Sequence, residues 1–331
     1  MKKIINSPDI VVDEMLEGLI AASGDKLELV ADKRIILRKE KKDAGKVAIL
    51  TGSGSGHEPD QVFYVGKGMF DAGCAGPIFA APTADAIYEA TKLIDNGAGV
   101  LYLIKNYTGD RAQFGMAAEM AEMDGIVTKT VIADDDVAVK DSTWTAGRRG
   151  VAGAIFNYKI VCAKAEEGAS MDELVALAER VNANTRSMGY ALTSCTTPAK
   201  GSPIFELGDD EQEIGVGLHG EPGRERTKIM SADEIIGILT NNVIDDLPYE
   251  AGDEVAVMLN GLGGTPLIEL YIAYNVTAKI LAEKGIKVFK SYVNEYCTSL
   301  DMAGCSVTLL KLDDEMKELL LYPIDIPYEI F

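Results

Sequence analysis

Three short apolar runs, each ending in a loop rich in glycine or polar residues, constrain the fold of this chain most. They occupy residues 47–50, 100–104 and 255–259. A continuous apolar run of this length is typical of a strand buried on both faces of a sheet. Helical patterns separate these runs, and such alternation of strand and helix indicates a parallel sheet. We therefore expect an α/β fold of two α/β lobes, with mixed, largely parallel sheets flanked by helices.

The expected lobes meet near residue 185. A length of 331 residues exceeds what one hydrophobic core usually serves. After a pair of helical stretches the pattern becomes richer in strands. We therefore expect residues 1–185 to form an N-terminal lobe that carries a Gly-Ser-Gly-His loop, and residues 186–331 to form a C-terminal lobe that carries a second histidine loop.

Composition excludes several classes of partner. The net charge of -20 opposes binding to nucleic acid or to an anionic membrane. The chain has no run of 18 apolar residues, and its first residues lack the apolar core of a signal peptide. The five cysteines are scattered without C-x-x-C spacing, which predicts neither disulfides nor a zinc site. We expect a cytoplasmic protein.

The chain has only two histidines, and their surroundings are alike. His57 and His219 are both flanked by glycine, and each precedes a Glu-Pro pair within two residues. A neutral imidazole is suited to nucleophilic or proton-transfer chemistry near neutral pH, and glycine lets the backbone and a ligand approach it closely. Either histidine alone would be taken for an ordinary loop residue. Together they predict one site built from two distant loops.

Polar residues at a neighbouring strand end extend this candidate site. Lys105 and Asp110 follow the apolar run 100–104, and ligands of open parallel sheets bind at the carboxyl ends of the strands. The loop at 52–57 is neither a dinucleotide fingerprint nor a P-loop, and it also lacks the H-E-x-x-H pattern. The sequence therefore predicts no cofactor and no metal bound by this chain.

Two charged segments allow more than one interpretation. The aspartates at 134–136 could bind a metal, although consecutive carboxylates on a loop are more typical of a solvated face. Arg148 and Arg149, close to the single tryptophan, Trp144, could bind phosphate or pair with those aspartates. We favour the solvated face and the pairing.

Six strings of residues closely resemble dihydroxyacetone kinases, and the resemblance runs over nearly the whole chain. They are Gly-Ser-Gly-His-Glu-Pro at 54–59, Ile-Lys-Asn-Tyr-Thr-Gly-Asp at 104–110, Asp-Asp-Asp-Val-Ala-Val-Lys-Asp at 134–141, Thr-Ala-Gly-Arg-Arg-Gly-Val-Ala at 145–152, Gly-Leu-His-Gly-Glu-Pro-Gly at 217–223 and Tyr-Cys-Thr-Ser-Leu-Asp-Met at 296–302. Single-chain members of this family carry a further helical nucleotide-binding domain, whereas this chain ends at 331. It therefore resembles the separate dihydroxyacetone-binding subunit of the phosphotransferase-system-dependent enzymes.

The resemblance implies roles for individual residues. His219 would attack the carbonyl carbon of dihydroxyacetone and hold it as a hemiaminal. Asp110 would act as general base, with His57 helping to polarise the substrate hydroxyl. The substrate hydroxyls would be oriented by the remaining predicted site residues: Gly54, Ser55, Gly56 and Lys105.

The resemblance also implies partners. The phosphoryl donor would be an ADP that is bound with magnesium on a separate L subunit and is recharged by a phosphotransferase-system protein. This chain would form a homodimer. Ser53 stands where some relatives have a third glycine, a difference not expected to touch the core site.

Two other functions remain open from the sequence. One is a non-catalytic relative that binds dihydroxyacetone through the same histidine and acts as a coactivator of a transcription regulator. The retention of His57, Lys105 and Asp110 favours the kinase, because a sensor needs capture but no general base. The other is an aldolase-like or isomerase enzyme that uses the histidine pair for acid–base chemistry on a small sugar. It predicts turnover without a phosphoryl donor.

Overall fold

The computed structural model describes residues 2–140 and 146–328. Trp144, and the positions 141 and 145 of two of the quoted strings, lie outside the described residues. The twelve strands described are β1 (Leu27–Val30), β2 (Ile35–Arg38), β3 (Ala48–Ser55), β4 (Ala72–Ile78), β5 (Val100–Lys105), β6 (Thr128–Ala133), β7 (Thr185–Ala191), β8 (Glu211–Ile214), β9 (Glu225–Lys228), β10 (Glu254–Gly261), β11 (Lys287–Asn294) and β12 (Gly304–Lys311).

Eight α-helices lie between and after these strands in the described residues. They are α1 (Val11–Ser23), α2 (Ala84–Ile94), α3 (Thr108–Met123), α4 (Ala154–Glu166), α5 (Met171–Ala183), α6 (Ala232–Asp246), α7 (Leu267–Glu283) and α8 (Asp314–Leu320). None of the helices in the described part of the chain combines the length and the apolar character needed to cross a membrane.

The first sheet has the strand order β1-β2-β4-β3-β5-β6. Strands β4, β3, β5 and β6 pair in parallel, while β1 and β2 add an antiparallel edge. Helices α2 and α3 pack on one face of this sheet. The prediction of a largely parallel sheet is right for this lobe, since crossover helices connect its central strands.

The second sheet has the order β11-β10-β12-β7-β8-β9, and antiparallel pairs predominate in it. Among its described strands only β10 and β11 pair in parallel, across the helix α7, and the other pairs are antiparallel. Two α/β lobes with mixed sheets are therefore confirmed, whereas largely parallel pairing is wrong for this sheet. The apolar run of β10 reflects burial on both faces: Val257 packs toward α6 and α7, and Met258 toward the central core.

Helix α4 is buried all round and lies between the lobes. A helix that is apolar on every side belongs in a core rather than on a surface. Phe156 contacts the ring of Tyr292 on β11, with centroids 5.6 Å apart, and Tyr158 contacts Phe70 near the first sheet at 4.8 Å. The largest apolar cluster consequently includes residues of both sheets. The division near residue 185 stays a prediction, although the second sheet begins at Thr185.

Four chain segments converge where the two lobes meet: the loop after β3, the start of α3, the His219 loop and segment 298–300. Strands β3 and β5 are parallel neighbours, so the loop after β3 and the start of α3 emerge at the same edge. Segment 298–300 then ties the histidine loops together. The backbone N–H of Thr298 donates to the carbonyl of His57 at 3.1 Å, and the hydroxyl of Ser299 donates to the carbonyl of Leu218 at 2.6 Å. These two hydrogen bonds, one from a backbone N–H and one from a side-chain hydroxyl, therefore link the two histidine loops.

Candidate active site

The structure brings the two histidines into direct contact. Nε2 of His57 lies 3.1 Å from Nε2 of His219. The rings are inclined at 73°, with their centroids 4.8 Å apart. The positions are 162 residues apart in the sequence, and each histidine comes from a different lobe. The two histidine loops therefore lie side by side, as the sequence predicted.

His57 is buried and has a defined orientation. Its Nδ1 lies 2.7 Å from the carbonyl oxygen of Thr298, which can only accept, so Nδ1 carries the proton. Burial, followed by the nearby charges of His219 and Lys105, lowers the pKa of His57 well below its ordinary value. The ring is therefore neutral near pH 7, and its Nε2 presents a lone pair to His219.

His219 is oriented by a carboxylate. Oε1 of Glu221 lies 2.9 Å from Nδ1 of His219, and Oε2 accepts the backbone N–H of His219 at 2.9 Å. Burial opposes ionisation of Glu221, but the hydrogen bond and charge of His219 outweigh it and hold the pKa of this carboxyl below its usual value. The contact places a proton on Nδ1, so the neutral form of the ring has its free lone pair on Nε2, as a nucleophilic imidazole requires.

A buried arginine lies behind the His219 loop. The guanidinium of Arg149 pairs with Asp136, with Nε 2.7 Å from Oδ2, and donates to the carbonyl of Gly215 at 2.7 Å. A Cβ at Gly217 would lie 2.1 Å from Oε2 of Glu221 and 2.6 Å from Nη1 of Arg149. Glycine at 217 is therefore what lets the carboxylate and the guanidinium approach the loop backbone.

The charged segments differ in part from expectation. Arg149 pairs with an aspartate of the 134–136 run, as predicted, but Arg148 pairs with Asp246 instead. A solvated face is wrong for most of this run, because only Asp134 is exposed. Asp135 is buried and accepts from two backbone N–H groups, at 2.9 and 2.8 Å, which satisfies its oxygens inside the protein.

His219 and Asp110 share a cavity of about 480 Å³. Its lining consists of Ser53, Gly54, Phe79, Ala80, Ala81, Tyr107, Thr108, Gly109, Asp110 and His219. Two larger cavities, of about 580 and 560 Å³, lie elsewhere and contain no histidine among their lining residues. Chemistry rather than volume therefore selects this cavity as the candidate site.

Asp110 lies in the first turn of α3 and is buried. Its Oδ2 accepts the hydroxyl of Ser53 at 3.0 Å. Burial raises the pKa of Asp110 to about 6, against the opposing hydrogen bond of Ser53 and the charge of His219. A carboxylate with such a pKa is suited to accept a proton near neutral pH. The expectation that Ser53 does not touch the core site is therefore wrong.

Two aromatic rings hold His219, and sequence reasoning did not single them out. The ring centroid of Tyr107 lies 4.7 Å from that of His219, and the centroid of Phe79 lies 5.2 Å away. Phe79 also stacks on His57 at 5.0 Å. Tyr107 lies within the quoted string at 104–110, so the resemblance could have pointed to it. Glu221 was marked only by its Glu-Pro pair, and no sequence pattern marked Phe79.

The remaining predicted residues have mixed positions. Gly54 lines the cavity, and a Cβ there would lie 2.5 Å from the backbone nitrogen of Ala80. Ser55 donates to the carbonyl of Gly76 at 2.7 Å. The N–H of Gly56 donates to both oxygens of the Glu58 carboxylate, at 3.1 and 2.9 Å.

Lys105 lies beneath the site rather than in the cavity lining. Its ammonium is buried and paired with Asp60, and it lies 3.6 Å from the sulfur of Cys297. Binding of substrate hydroxyls by Ser55, Gly56 and Lys105 stays a prediction.

The arrangement can add a nucleophile to a carbonyl group. It offers an oriented imidazole nitrogen at His219, a neutral imidazole at His57 that can exchange a proton, and a carboxylate at Asp110 in the same cavity. These are the groups needed for covalent capture of a small ketone and for deprotonation of a hydroxyl.

Comparison with known proteins agrees with this chemistry. The Dak1 domain model matches residues 17–328. The dihydroxyacetone-binding subunit DhaK of PTS-dependent dihydroxyacetone kinase 1 from Listeria innocua is 48% identical over 326 residues, covering 98% of this chain and 99% of that protein.

Two solved structures are similar along nearly the whole chain. The dihydroxyacetone kinase operon co-activator Dha-DhaQ matches with a TM-score of 0.89 at 33% identity, covering 94% of this chain and 96% of that one. The native dihydroxyacetone kinase of C. freundii matches with a TM-score of 0.89 at 31% identity, covering 99% of this chain and 60% of that one. The chain therefore belongs to the Dak1 domain family, together with the dihydroxyacetone-binding subunits of dihydroxyacetone kinases.

Proposed function

We propose that this chain is the dihydroxyacetone-binding subunit of a phosphotransferase-system-dependent dihydroxyacetone kinase. The observation that carries the proposal is the contact of His219 with Glu221, which leaves the Nε2 lone pair of His219 available beside a cavity that also holds Asp110. The 48% identity with a subunit of that name supports the same assignment.

Capture is the first step. The Nε2 lone pair of His219 forms a bond to the carbonyl carbon of dihydroxyacetone, and the π electrons of the C=O bond move to oxygen. That oxygen takes a proton from solvent, which gives the hemiaminal with a positive charge on the substituted imidazole. The buried carboxylate of Glu221 stabilises the positive charge on the substituted imidazole. Glycerol has no carbonyl group, so capture selects short ketones over polyols.

Phosphoryl transfer is the second step. The carboxylate of Asp110 accepts the proton of a substrate hydroxyl while that oxygen attacks the phosphorus. Such general-base assistance contributes about 10²–10⁴-fold to a rate. The phosphoryl group comes from a nucleotide on another subunit, expected to be the ADP bound with magnesium on an L subunit after a phosphotransferase-system protein has recharged it. The transfer leaves ADP behind. His57, with its lone pair beside His219, accepts the Nε2 proton of a His219 ring that carries one, which frees the lone pair that attacks the carbonyl carbon.

The partners belong to the same proposal. The L subunit would dock at the mouth of the cavity, because its phosphoryl group must reach the hydroxyl next to Asp110. A homodimer and a cytoplasmic location remain predictions. Light scattering of the purified chain measures whether it forms a homodimer, and the same measurement with an L subunit detects their complex.

A sensor that acts as coactivator of a transcription regulator is the second candidate. It is favoured by the similarity to the co-activator structure. The higher identity with a kinase subunit, 48% against 33%, favours the kinase. A sensor would still capture dihydroxyacetone, so only product formation separates the two.

The test is formation of dihydroxyacetone phosphate with an L subunit and its phosphotransferase-system donor. We compare the wild type with Asp110→Asn and His219→Ala, and measure capture separately by carbon-13 NMR of labelled dihydroxyacetone. We expect Asp110→Asn to retain capture and to lose about 100-fold or more in product formation. Capture without product from the wild type, with any competent L subunit, would replace the kinase by the sensor. Turnover without any donor would favour an aldolase or isomerase.

A further inference from the structure

The two facing nitrogens of the histidine pair leave room for a cation. Nδ1 of His57 donates to the carbonyl of Thr298 at 2.7 Å, and Nδ1 of His219 donates to Glu221 at 2.9 Å. With both Nδ1 atoms protonated, each neutral ring presents an unprotonated Nε2, and these two nitrogens are 3.1 Å apart. At this distance either a proton or a metal ion can lie between the two nitrogens.

The ring geometry matches a shared metal ion. Zinc–nitrogen bonds are about 2.0–2.1 Å, so two nitrogens at the observed 3.1 Å would subtend about 98° at the ion, near the tetrahedral value. With about 1.2 Å from ring centre to nitrogen, the ring centroids of two such ligands would lie about 4.9 Å apart. The observed separation is 4.8 Å. Rings meeting head-on would be about 5.5 Å apart, so at least one ring is tilted away from the line between the nitrogens.

The outer contacts of both histidines are those of metal ligands. Metal-binding histidines almost always donate the other ring N–H to a carboxylate or a backbone carbonyl, which fixes the tautomer and the ring orientation. His219 makes this contact with Glu221 and His57 makes it with Thr298. The side chain of His219 is 17% exposed and lines the cavity, so an ion has a path from solvent.

We propose that His57 and His219 bind one divalent first-row transition metal ion, such as Zn²⁺, through their Nε2 atoms. Imidazole nitrogen suits zinc, copper and nickel, and excludes magnesium and calcium as preferred ions. His219 lines the cavity, from which water would complete the coordination of such an ion. In residues 2–140 and 146–328 no group of three or more His, Cys, Asp or Glu could hold a metal. Two protein ligands make the ion exchangeable, so it acts as a reversible inhibitor rather than a resident cofactor.

Inhibition follows from competition for one lone pair. The Nε2 lone pair of His219 can bond either to the metal or to the carbonyl carbon of a substrate. Metal at ten times its Kd should therefore weaken the apparent affinity for dihydroxyacetone about elevenfold. This consequence rests on the proposed capture at His219, whereas metal binding itself does not.

Calorimetric titration of the tag-free protein with Zn²⁺ tests the binding. His57 and His219 are the only histidines in the chain, and all five cysteines are buried, so a zinc–imidazole signal reports this pair. We expect one Zn²⁺ per chain in the wild type and at least about 100-fold weaker binding in both His57→Gln and His219→Gln. Circular dichroism checks that both variants fold, and the partly exposed His219 is the safer substitution.

The outcomes separate the metal site from the proposed function. No binding up to about 1 mM Zn²⁺, or binding that survives both substitutions, overturns the metal site and leaves a proton between the rings. A hemiaminal detected by carbon-13 NMR in the same sample would then show that capture stands. Zinc binding lost in both variants but insensitive to dihydroxyacetone supports the metal site and contradicts capture at His219.

Discussion

The two histidine loops have similar sequences, but their glutamates make different contacts. In one loop Glu58 follows His57 directly, and its carboxylate accepts the N–H of Gly56 instead of touching the imidazole. In the other loop one glycine separates the histidine from the glutamate, and Glu221 holds both the ring and the backbone of His219. Gly220 has a φ of 73°, the left-handed conformation that turns the chain back on itself.

One residue of spacing decides which histidine is held by a carboxylate, and this is the histidine that we propose as the nucleophile. Burial raises the pKa of Glu58, whereas the contact with His219 lowers that of Glu221. The carboxylate beside His219 is therefore available as an anion to stabilise a charged ring. His57 has only a backbone carbonyl at Nδ1, which orients the ring without stabilising a positive charge as strongly.

The largest expected effect separates the two histidines themselves. In His219→Gln we expect complete loss of the covalent adduct, because an amide nitrogen is not nucleophilic. In His57→Gln we expect the adduct at equilibrium but formed more slowly, by about 10²-fold, because the proton acceptor is lost. Time-resolved carbon-13 NMR of labelled dihydroxyacetone measures both. An adduct that persists in His219→Gln would reverse the assignment.

The next effect concerns the two glutamates. The carboxylate of Glu221 faces two donors of His219, the Nδ1–H and the backbone N–H. In Glu221→Gln an amide NH₂ would face one of these donors, so the ring would lose its defined tautomer. We expect capture to slow by about 10–100-fold, the usual cost of losing such an orienting partner. Glu58→Gln is the matched control and should change capture by less than about threefold, since one amide oxygen can still accept from Gly56. Equal effects of the two substitutions would remove the distinction between the loops.

A smaller effect is expected from crowding behind His219. Gly217→Ala would push Glu221 and Arg149 aside, because the added Cβ would lie 2.1 Å and 2.6 Å from their polar atoms. We expect a loss of about 1–3 kcal/mol in the free energy of unfolding and about tenfold slower capture. Gly237→Ala, in α6 with nothing within 4 Å of the added atom, is the control. Chemical denaturation measures the loss of stability, and NMR measures the capture rate. An unaffected capture rate would mean that capture does not depend on the position of Glu221 beside Gly217.

The smallest effect is a pH dependence that assigns the base. The pKa of Asp110 is raised to about 6 by burial, so its carboxylate form is lost as pH falls through 6. We expect product formation to be about half its plateau at pH 6, with one inflection, because the neutral His57 does not titrate there. Asp110→Asn should remove the inflection, and capture measured without the L subunit should not show it. An inflection retained in Asp110→Asn would place the base elsewhere.

Local patterns were sufficient for several elements and contacts. The apolar runs became β3, β5 and β10, since a buried strand needs apolar side chains on both faces. The pairing of Arg149 with Asp136 also followed from the sequence, because an arginine in an acidic chain finds a carboxylate. The second sheet could not be predicted in this way: burial on both faces looks the same in parallel and antiparallel strands.

Only the tertiary structure decided what surrounds the imidazoles. The sequence alone showed two histidines next to glycine, each followed within two residues by a Glu-Pro pair. It could not show that Ser53 touches Asp110, that Phe79 packs against both histidines, or that Glu221 and not Glu58 contacts a ring. Contacts between residues as distant as 57 and 219 depend on how two lobes pack around α4. That packing is the sum of many weak contacts, and no local pattern of residues encodes it.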